Sequence, residues 1–495
     1  MRPVPLLFSV TALGVFSAFA NVSAAASYAP LHNKSMGIDT CLAVGEDKSR
    51  VFFAPCNGSR EQNWTVSAHN GGHYFIHNES SETQCLRTLS NGRTVTLGAC
   101  SGDGYTSMRL WTVKHNLDAS ITLRNKYSLD QGRKETLNAD AANSTPSMSV
   151  PHVEDAAHWT YSGEIPSPKR PLLGHKKALV MATHYNDSLP ANPNLIHDAV
   201  LGEGDYRTSL KNYLRLASHG KLTLDGKFLS NINLGERPAT CDSSMILDRA
   251  RSAARAQGVE PDEYDFLMVD ISRSSNCRWE GLAQTPGNWI LSNGVGHKYW
   301  MWSHEFGHNL GFLHSSTLQD CPISDGVVRL NSQCRKGGGA DAADTMGGGG
   351  ERMYPAHYQL FTGSLEDSDV PVIKKPGTYK LTPLWQSGGA QGYRLYRSDG
   401  STLVLEYRQP QPVFEEWPVD SPFVNGVTVR EVRYSGNTVA HTLVDATPAS
   451  TSGMKDAPLM PGYSLHDELS GKLITVLSAD NNSTVIKVED RATLD

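Results

Sequence analysis

Cysteines recur at a spacing of 44 residues in the first third of the chain, Cys41 with Cys85 and Cys56 with Cys100. Tryptophans keep nearly the same step at Trp64, Trp111 and Trp159. A period of that size means a supersecondary unit that cannot bury its apolar face alone and must share a core with its copies. A third copy, from Tyr127–Gln131 to His158–Tyr161, has lost both cysteines but keeps Leu129 and Trp159. Three such units, rich in short alternating strands and Gly/Asn/Ser turns, predict an all-β trefoil over residues 27–163, with one tryptophan per repeat in the shared core.

The eight cysteines fall in four sequential pairs: Cys41 with Cys56, Cys85 with Cys100, Cys241 with Cys277, and Cys321 with Cys334. None forms a metal-type CxxC. Disulfides between neighbours are the simplest connectivity, and the repeat supports it for the first four. An even count suits an oxidising compartment. The start of the chain agrees: a basic Arg2, an apolar run from Leu6 to Ala20, and small residues from Ser23 to Ala26 read as a cleaved signal over residues 1–26. No later stretch is long and apolar enough to span a bilayer. A net charge of -6 leaves no basic excess to neutralise phosphates, so a nucleic-acid partner is not expected.

Beyond the trefoil, residues 164–177 carry Pro166, Pro168 and Pro171 and read as a linker. Residues 178–366 then mix buried-strand runs (Ala178–Thr183, Asp265–Ile271) with helical spacing at Ser209–Ser218 and at Asp242–Gln257, where Gly258 is the stop. Residues 367–495 return to short strands between turns, as in a β-sandwich.

Chemistry concentrates at His304–His314, which reads HExxHxxGxxH. His304 and His308 are one helical turn apart and project from one face. Gly311 can end the helix and turn the chain back, bringing His314 round as a third ligand. Three neutral nitrogens leave a fourth tetrahedral position for water, the arrangement of one catalytic zinc ion. Glu305, beside the first ligand, is the candidate general base.

This segment resembles the metzincin zinc peptidases. Over roughly 176–365 the chain is similar to the gametolysin-like peptidases in particular, through the helix end Ala217–Gly220, the stretch Gly281–Ala283, the HExGHNxGxxHS motif, the turn Asp341–Gly347 and the segment Tyr354–His357. It departs from them after His357, reading Phe361–Ser364, and in having no Tyr-Gly before Asp341. The resemblance implies an α+β catalytic domain, peptide-bond hydrolysis, and Met346 as the methionine beneath the metal. It carries no oxyanion tyrosine over, since Gly348 stands at that position; Tyr354 reads as a core aromatic, and His297 and His357 are surplus to a three-histidine site. The first domain resembles the ricin-type lectin repeats through their CL…C…QxW pattern. That implies a carbohydrate contact through an Asp after the CL position: Ala43 and Arg87 occupy it in two repeats, leaving Asp130 as the candidate. Without sugar binding, the trefoil is a spacer or latency module. The expected protein is a secreted zinc endopeptidase acting on proteins or glycoproteins. Its rival is a secreted glycan-binding adhesin whose metalloprotease domain is inactive or latent.

Overall fold

The computed structural model describes residues 28–491 apart from 70–71, 103–105, 141–142, 190, 206, 339–340 and 349; the expected signal segment lies outside the described residues. Strands dominate the chain and helices are few. The neighbour pairing of cysteines holds throughout. Cys41 is bonded to Cys56 and Cys85 to Cys100, each closing a loop of 15 residues within one repeat. Cys241 is bonded to Cys277 across 36 residues, and Cys321 to Cys334 across 13. All eight are therefore structural, and none is a free thiol that could reach a metal. Among the described residues no helix is long and apolar enough to cross a membrane.

Trp64, Trp111 and Trp159 are fully buried. Each indole N–H donates to a leucine carbonyl, of Leu42, Leu86 and Leu137 respectively, at 2.7–2.9 Å. Around them six strands (Ala29–Asn33, Asn63–His69, His73–Asn78, Trp111–His115, Ile121–Asn125 and Trp159–Tyr161) pair antiparallel in a closed ring. Three hairpins complete the trefoil arrangement, with Leu42 opposite Phe53, Leu86 opposite Leu97 and Leu137 opposite Met148.

That register corrects the reading of the third repeat. The counterpart of Leu42 and Leu86 is Leu137, not Leu129, so Asn138 and not Asp130 follows it. Asp130 instead ends a short helix, Lys126–Asp130, and both its oxygens are held by the Lys126 ammonium at 2.7 and 2.8 Å. Asn138 is buried and spent on Ser149 and Thr136. No aspartate therefore stands at the expected sugar position in any repeat.

The expected linker is tied down rather than loose. Residues from Gly174 already belong to the long strand Gly174–His184. Ser167 is buried, with its amide and hydroxyl donating to Asp367, which also pairs with Arg394 at 2.9 Å. The trefoil docks nearby: the His115 ring stacks on Tyr396 at 3.5 Å between centroids, 4° from parallel.

The middle of the chain forms a five-stranded sheet ordered Leu222–Asn233, Gly174–His184, Phe266–Ile271, Trp289–Asn293, Gly281–Ala283. The first four strands run parallel and the last is an antiparallel edge. Side chains alternate across a strand. Ala178, Val180 and Ala182 therefore face a layer holding helices Leu210–Ala217 and Tyr299–Leu310, while Leu179 and Met181 face helix Ser243–Ala256. Cys277 is buried in that second layer, so its bond to Cys241 ties the start of helix Ser243–Ala256 to the loop after strand Phe266–Ile271. Ser209 and Asp242 cap two of these helices, accepting from Asn212 and from Ser244 and Met245.

Towards the C-terminal end two six-stranded sheets enclose one apolar cluster that includes Leu403, Leu405, Val429, Ile474 and Ile486. The boundary expected at 366/367 does not separate them from what precedes. Strand Ser316–Gln319 pairs parallel with Thr438–Val444, and Val327–Leu330 pairs parallel with Ser464–Asp467. Cys321 and Cys334 are buried in the same cluster, and their bond closes the loop that carries Val327–Leu330. The chain just after the histidine motif is thus part of the C-terminal sheets. Long-range pairing of this kind leaves no local signal in the sequence.

Candidate metal centre

The helix Tyr299–Leu310 buries Met301, Trp302, Phe306 and Leu310, which turns the opposite face, with His304 and His308, towards the outside. Gly311 ends it in the left-handed region at φ 96°, its N–H bonding back to His308 and that of Phe312 to Gly307. A Cβ there would also lie 2.4 Å from the Asn437 carbonyl oxygen, so close approach and backbone angle both require glycine. The chain then reverses along Thr438–Val444, with Leu313 N–H donating to Val439 O and Val439 N–H to Gly311 O. Tyr358 donates its hydroxyl to Leu313 O at 2.9 Å. His314 follows, exposed to solvent.

The three imidazoles converge. Nε2 of His314 lies 3.1 Å from Nε2 of both His304 and His308. The outer nitrogens define the tautomers: Nδ1 of His304 is 2.8 Å from Thr345 O and Nδ1 of His308 is 2.8 Å from Phe312 O. A carbonyl only accepts, so both Nδ1 atoms carry the proton and both Nε2 atoms present lone pairs. His314 Nε2 can meet these lone pairs as an N–H donor or, with a cation among the three nitrogens, as a third lone pair. Tetrahedral zinc with bonds of about 2.0 Å would separate its nitrogens by roughly 3.3 Å. The donor set fits zinc, with second-partner hydrogen bonds of the kind that orient metal-ligating histidines. Burial lowers the pKa of His304 and takes that of His308 to about 4, which keeps both rings neutral.

Glu305 is buried beside the triad, and burial pushes its carboxyl up to about 8. Room for it comes from Gly281 on the edge strand, where a Cβ would sit 2.5 Å from Glu305 Oε1. Met346 lies under the helix in the same manner, with its Sδ 2.5 Å from where a Gly307 Cβ would be. His297 is exposed and belongs to no cluster of ligand atoms among the described residues, while Tyr354 is a buried core ring against Tyr213 and Phe312.

A second group, wholly buried, was not anticipated from the sequence. Asp341, Asp344 and His441 have ligand-type atoms within 4.8 Å of one another. Here the oxygens of Asp341 are already taken. Arg430 donates from Nε at 2.8 Å and from Nη2 at 3.3 Å, and His441 from Nε2 at 2.9 Å. His441 Nδ1 accepts in turn from His357 Nε2 at 3.0 Å. Asp341, His441 and His357 form a hydrogen-bonded knot, in which His357 is spent, while neither carboxyl oxygen of Asp344 has a hydrogen-bond partner. Burial, with the charge of Asp341, raises the Asp344 carboxyl well above the usual range and keeps it neutral.

No family model and no curated protein matches the chain. Three of the solved structures that match cover little more than a quarter of it. The GlcNAcα1-4Gal-releasing endo-β-galactosidase from Clostridium perfringens matches at 12% identity over 27% of this chain and 31% of its own, with a TM-score of 0.23. The designed three-fold symmetric protein ThreeFoil matches at 18% identity over 27% of this chain and 95% of its own, with a TM-score of 0.23. SeviL bound to asialo-GM1 saccharide matches at 17% identity over 27% of this chain and 94% of its own, with a TM-score of 0.21. The chain thus spans less than a third of the glycosidase it matches.

Proposed function

We propose that the chain is a secreted zinc endopeptidase of the metzincin type, with His304, His308 and His314 as the metal ligands and Glu305 as general base. One observation carries the reading: three imidazole nitrogens, two with tautomers fixed by backbone carbonyls, converge beside a buried carboxyl. Zinc bound there would supply Lewis acidity, polarising a scissile carbonyl and making a water nucleophilic near neutral pH. The charge of a bound cation would draw the buried Glu305 carboxyl back to its ionised form, in which it would take a proton from the attacking water and return it to the departing amine. The edge strand Gly281–Ala283, hydrogen-bonded on one side only, offers free backbone groups for an extended peptide. Gly281 brings that strand against Glu305, so a peptide laid along it runs past the base. Four disulfides support an oxidising, extracellular setting. Asp130 is held by Lys126, so any glycan contact of the trefoil lies elsewhere.

The rival, a glycan-binding adhesin with an idle protease domain, draws on the same trefoil. The intact, buried Glu305 speaks against it, since burying a carboxyl without a partner has a cost that only a use would maintain. The test compares cleavage of a general protein substrate by the zinc-loaded chain and by Glu305→Ala. We expect Glu305→Ala to keep its zinc and lose about 10²–10⁴-fold in kcat. Equal cleavage by both would sink the mechanism, and none by either, with zinc bound, would favour the adhesin.

A further inference from the structure

We infer that Arg430 and His441, on strands of the C-terminal sheets, are positioning residues for the metal centre; the inference rests on the zinc reading above. They are tied to the triad by a chain of hydrogen bonds and one packing contact. Arg430 and His441 hold the Asp341 carboxylate, and its Oδ1 also accepts from Ala343 N–H at 2.9 Å, which shapes the turn that follows. Within that turn Asp344 N–H bonds to Asp341 O and Gly347 N–H to Asp344 O. The turn presents Thr345 O to His304 Nδ1 and Met346 Sδ to the underside of Gly307. Its Met346 carbonyl accepts from Ser315 N–H, next to His314.

The other fork of Arg430 reaches Glu406 Oε1 at 3.0 Å, while Glu406 Oε2 accepts from Ala356 N–H at 2.6 Å. Arg408 joins Glu406 to Glu415, which accepts from Met353 N–H. Asp341 is therefore fastened to the strand Val427–Ser435, Ala356 to the strand Thr402–Tyr407, and Met353 to Glu415 beyond it. Strand Thr438–Val444 adds the third tie, since it carries His441 and also pairs with the chain on either side of His314.

Stability does not explain this arrangement. Arg430, Arg408, Asp341 and Glu406 are all essentially inaccessible to solvent. Desolvating such ions costs about as much as their pairing returns, and apolar replacements of a whole buried cluster are often neutral or better. What the cluster gives that apolar packing cannot is direction. A bidentate guanidinium fixes the plane of Asp341, and Asp341 fixes the turn that orients two of the three ligands.

The test uses the full chain and reads metal affinity and geometry rather than activity alone. Zinc transfer to a chromogenic chelator and the visible spectrum of the cobalt-substituted protein are measured for wild type, Arg430→Gln, His441→Gln and Arg430→Lys. Arg397→Gln is the control: Arg397 is equally buried, pairs with Asp467 and Glu431 in the same sheets, and makes no contact with the turn. We expect zinc to be held about 10–100-fold more weakly in Arg430→Gln and His441→Gln, with an altered cobalt spectrum. Arg430→Lys should lie between, because lysine keeps the charge but not the fork. The control should melt earlier yet keep wild-type affinity. Folded Arg430→Gln or His441→Gln binding zinc as tightly as wild type would overturn the inference, as would equal weakening in Arg397→Gln. If Arg430→Gln does not fold, His441→Gln and Arg430→Lys decide the matter by the same criterion. A wild-type chain that binds no zinc would instead overturn the metal reading itself.

Discussion

The trefoil closes its barrel on itself, staples two repeats with their own disulfides, and meets the rest of the protein through few groups such as His115 against Tyr396. The paired sheets at the other end do the opposite. They take strands from the segment after the histidine motif, and their buried Arg430 grips the turn beneath the helix that carries the motif. Two β-rich flanks of one chain thus differ in kind: the first is a self-sufficient module, the second is part of the frame of the histidine triad. A boundary drawn from composition alone cannot tell them apart.

The most severe way to break this comparison is to remove each flank in turn. A chain ending at residue 375 should show no cooperative thermal transition and no stoichiometric zinc, because Ser316–Gln319 and Val327–Leu330 lose their partners. A chain beginning at residue 164 should still melt cooperatively and hold zinc. Cooperative, zinc-binding behaviour in the first would make the two flanks equivalent. A milder test stays inside the trefoil. Trp111→Ala should cost about 3–5 kcal/mol in denaturant unfolding of that region, with zinc affinity unchanged; a coupled loss of zinc would show that the module is not self-sufficient. The smallest effect concerns the junction. Burial against Tyr396, with Arg394 and Lys374 nearby, lowers His115 to about 4 from its ordinary value of 6.5. The docked state thus prefers the neutral ring. Its contribution is fully present above pH 6.5 and is lost as pH falls towards 4, on the order of 1–3 kcal/mol. Melting curves between pH 7 and 4 should fall less steeply in His115→Phe, and equal slopes would remove His115 from the junction.

What the sequence made legible was local or repeated. The spacing of Cys41, Cys85 and the three tryptophans pointed to the trefoil because each copy buries the same side chains. The partners of Cys277 and Cys334 were legible too, since each bond closes a short loop between cysteines adjacent in sequence. The helix and its glycine stop made the histidine set readable, since both operate within a few turns. The third repeat was misregistered because the helix Lys126–Asp130 offers Leu129 as a decoy eight residues before Leu137. A better marker was present. Asn33, Asn78 and Asn125 are fully buried, and each accepts from the backbone N–H two residues on. They repeat at nearly the tryptophan spacing. Arg430 and His441 had no such signal: they meet Asp341 across 89 and 100 residues of sequence, and nothing in a strand of alternating side chains says which turn it will hold.

The parallel pairing beyond the motif also sets an order of assembly. Ser316 meets Thr442 across 126 residues, so the backbone that aims His314 has no partner until that later strand has left the ribosome. Synthesis proceeds from the N-terminus, and domains fold as their segments emerge. The trefoil is complete early, whereas the histidine triad cannot be held in place until almost the whole chain exists. A partly made polypeptide therefore carries the trefoil without a finished histidine triad.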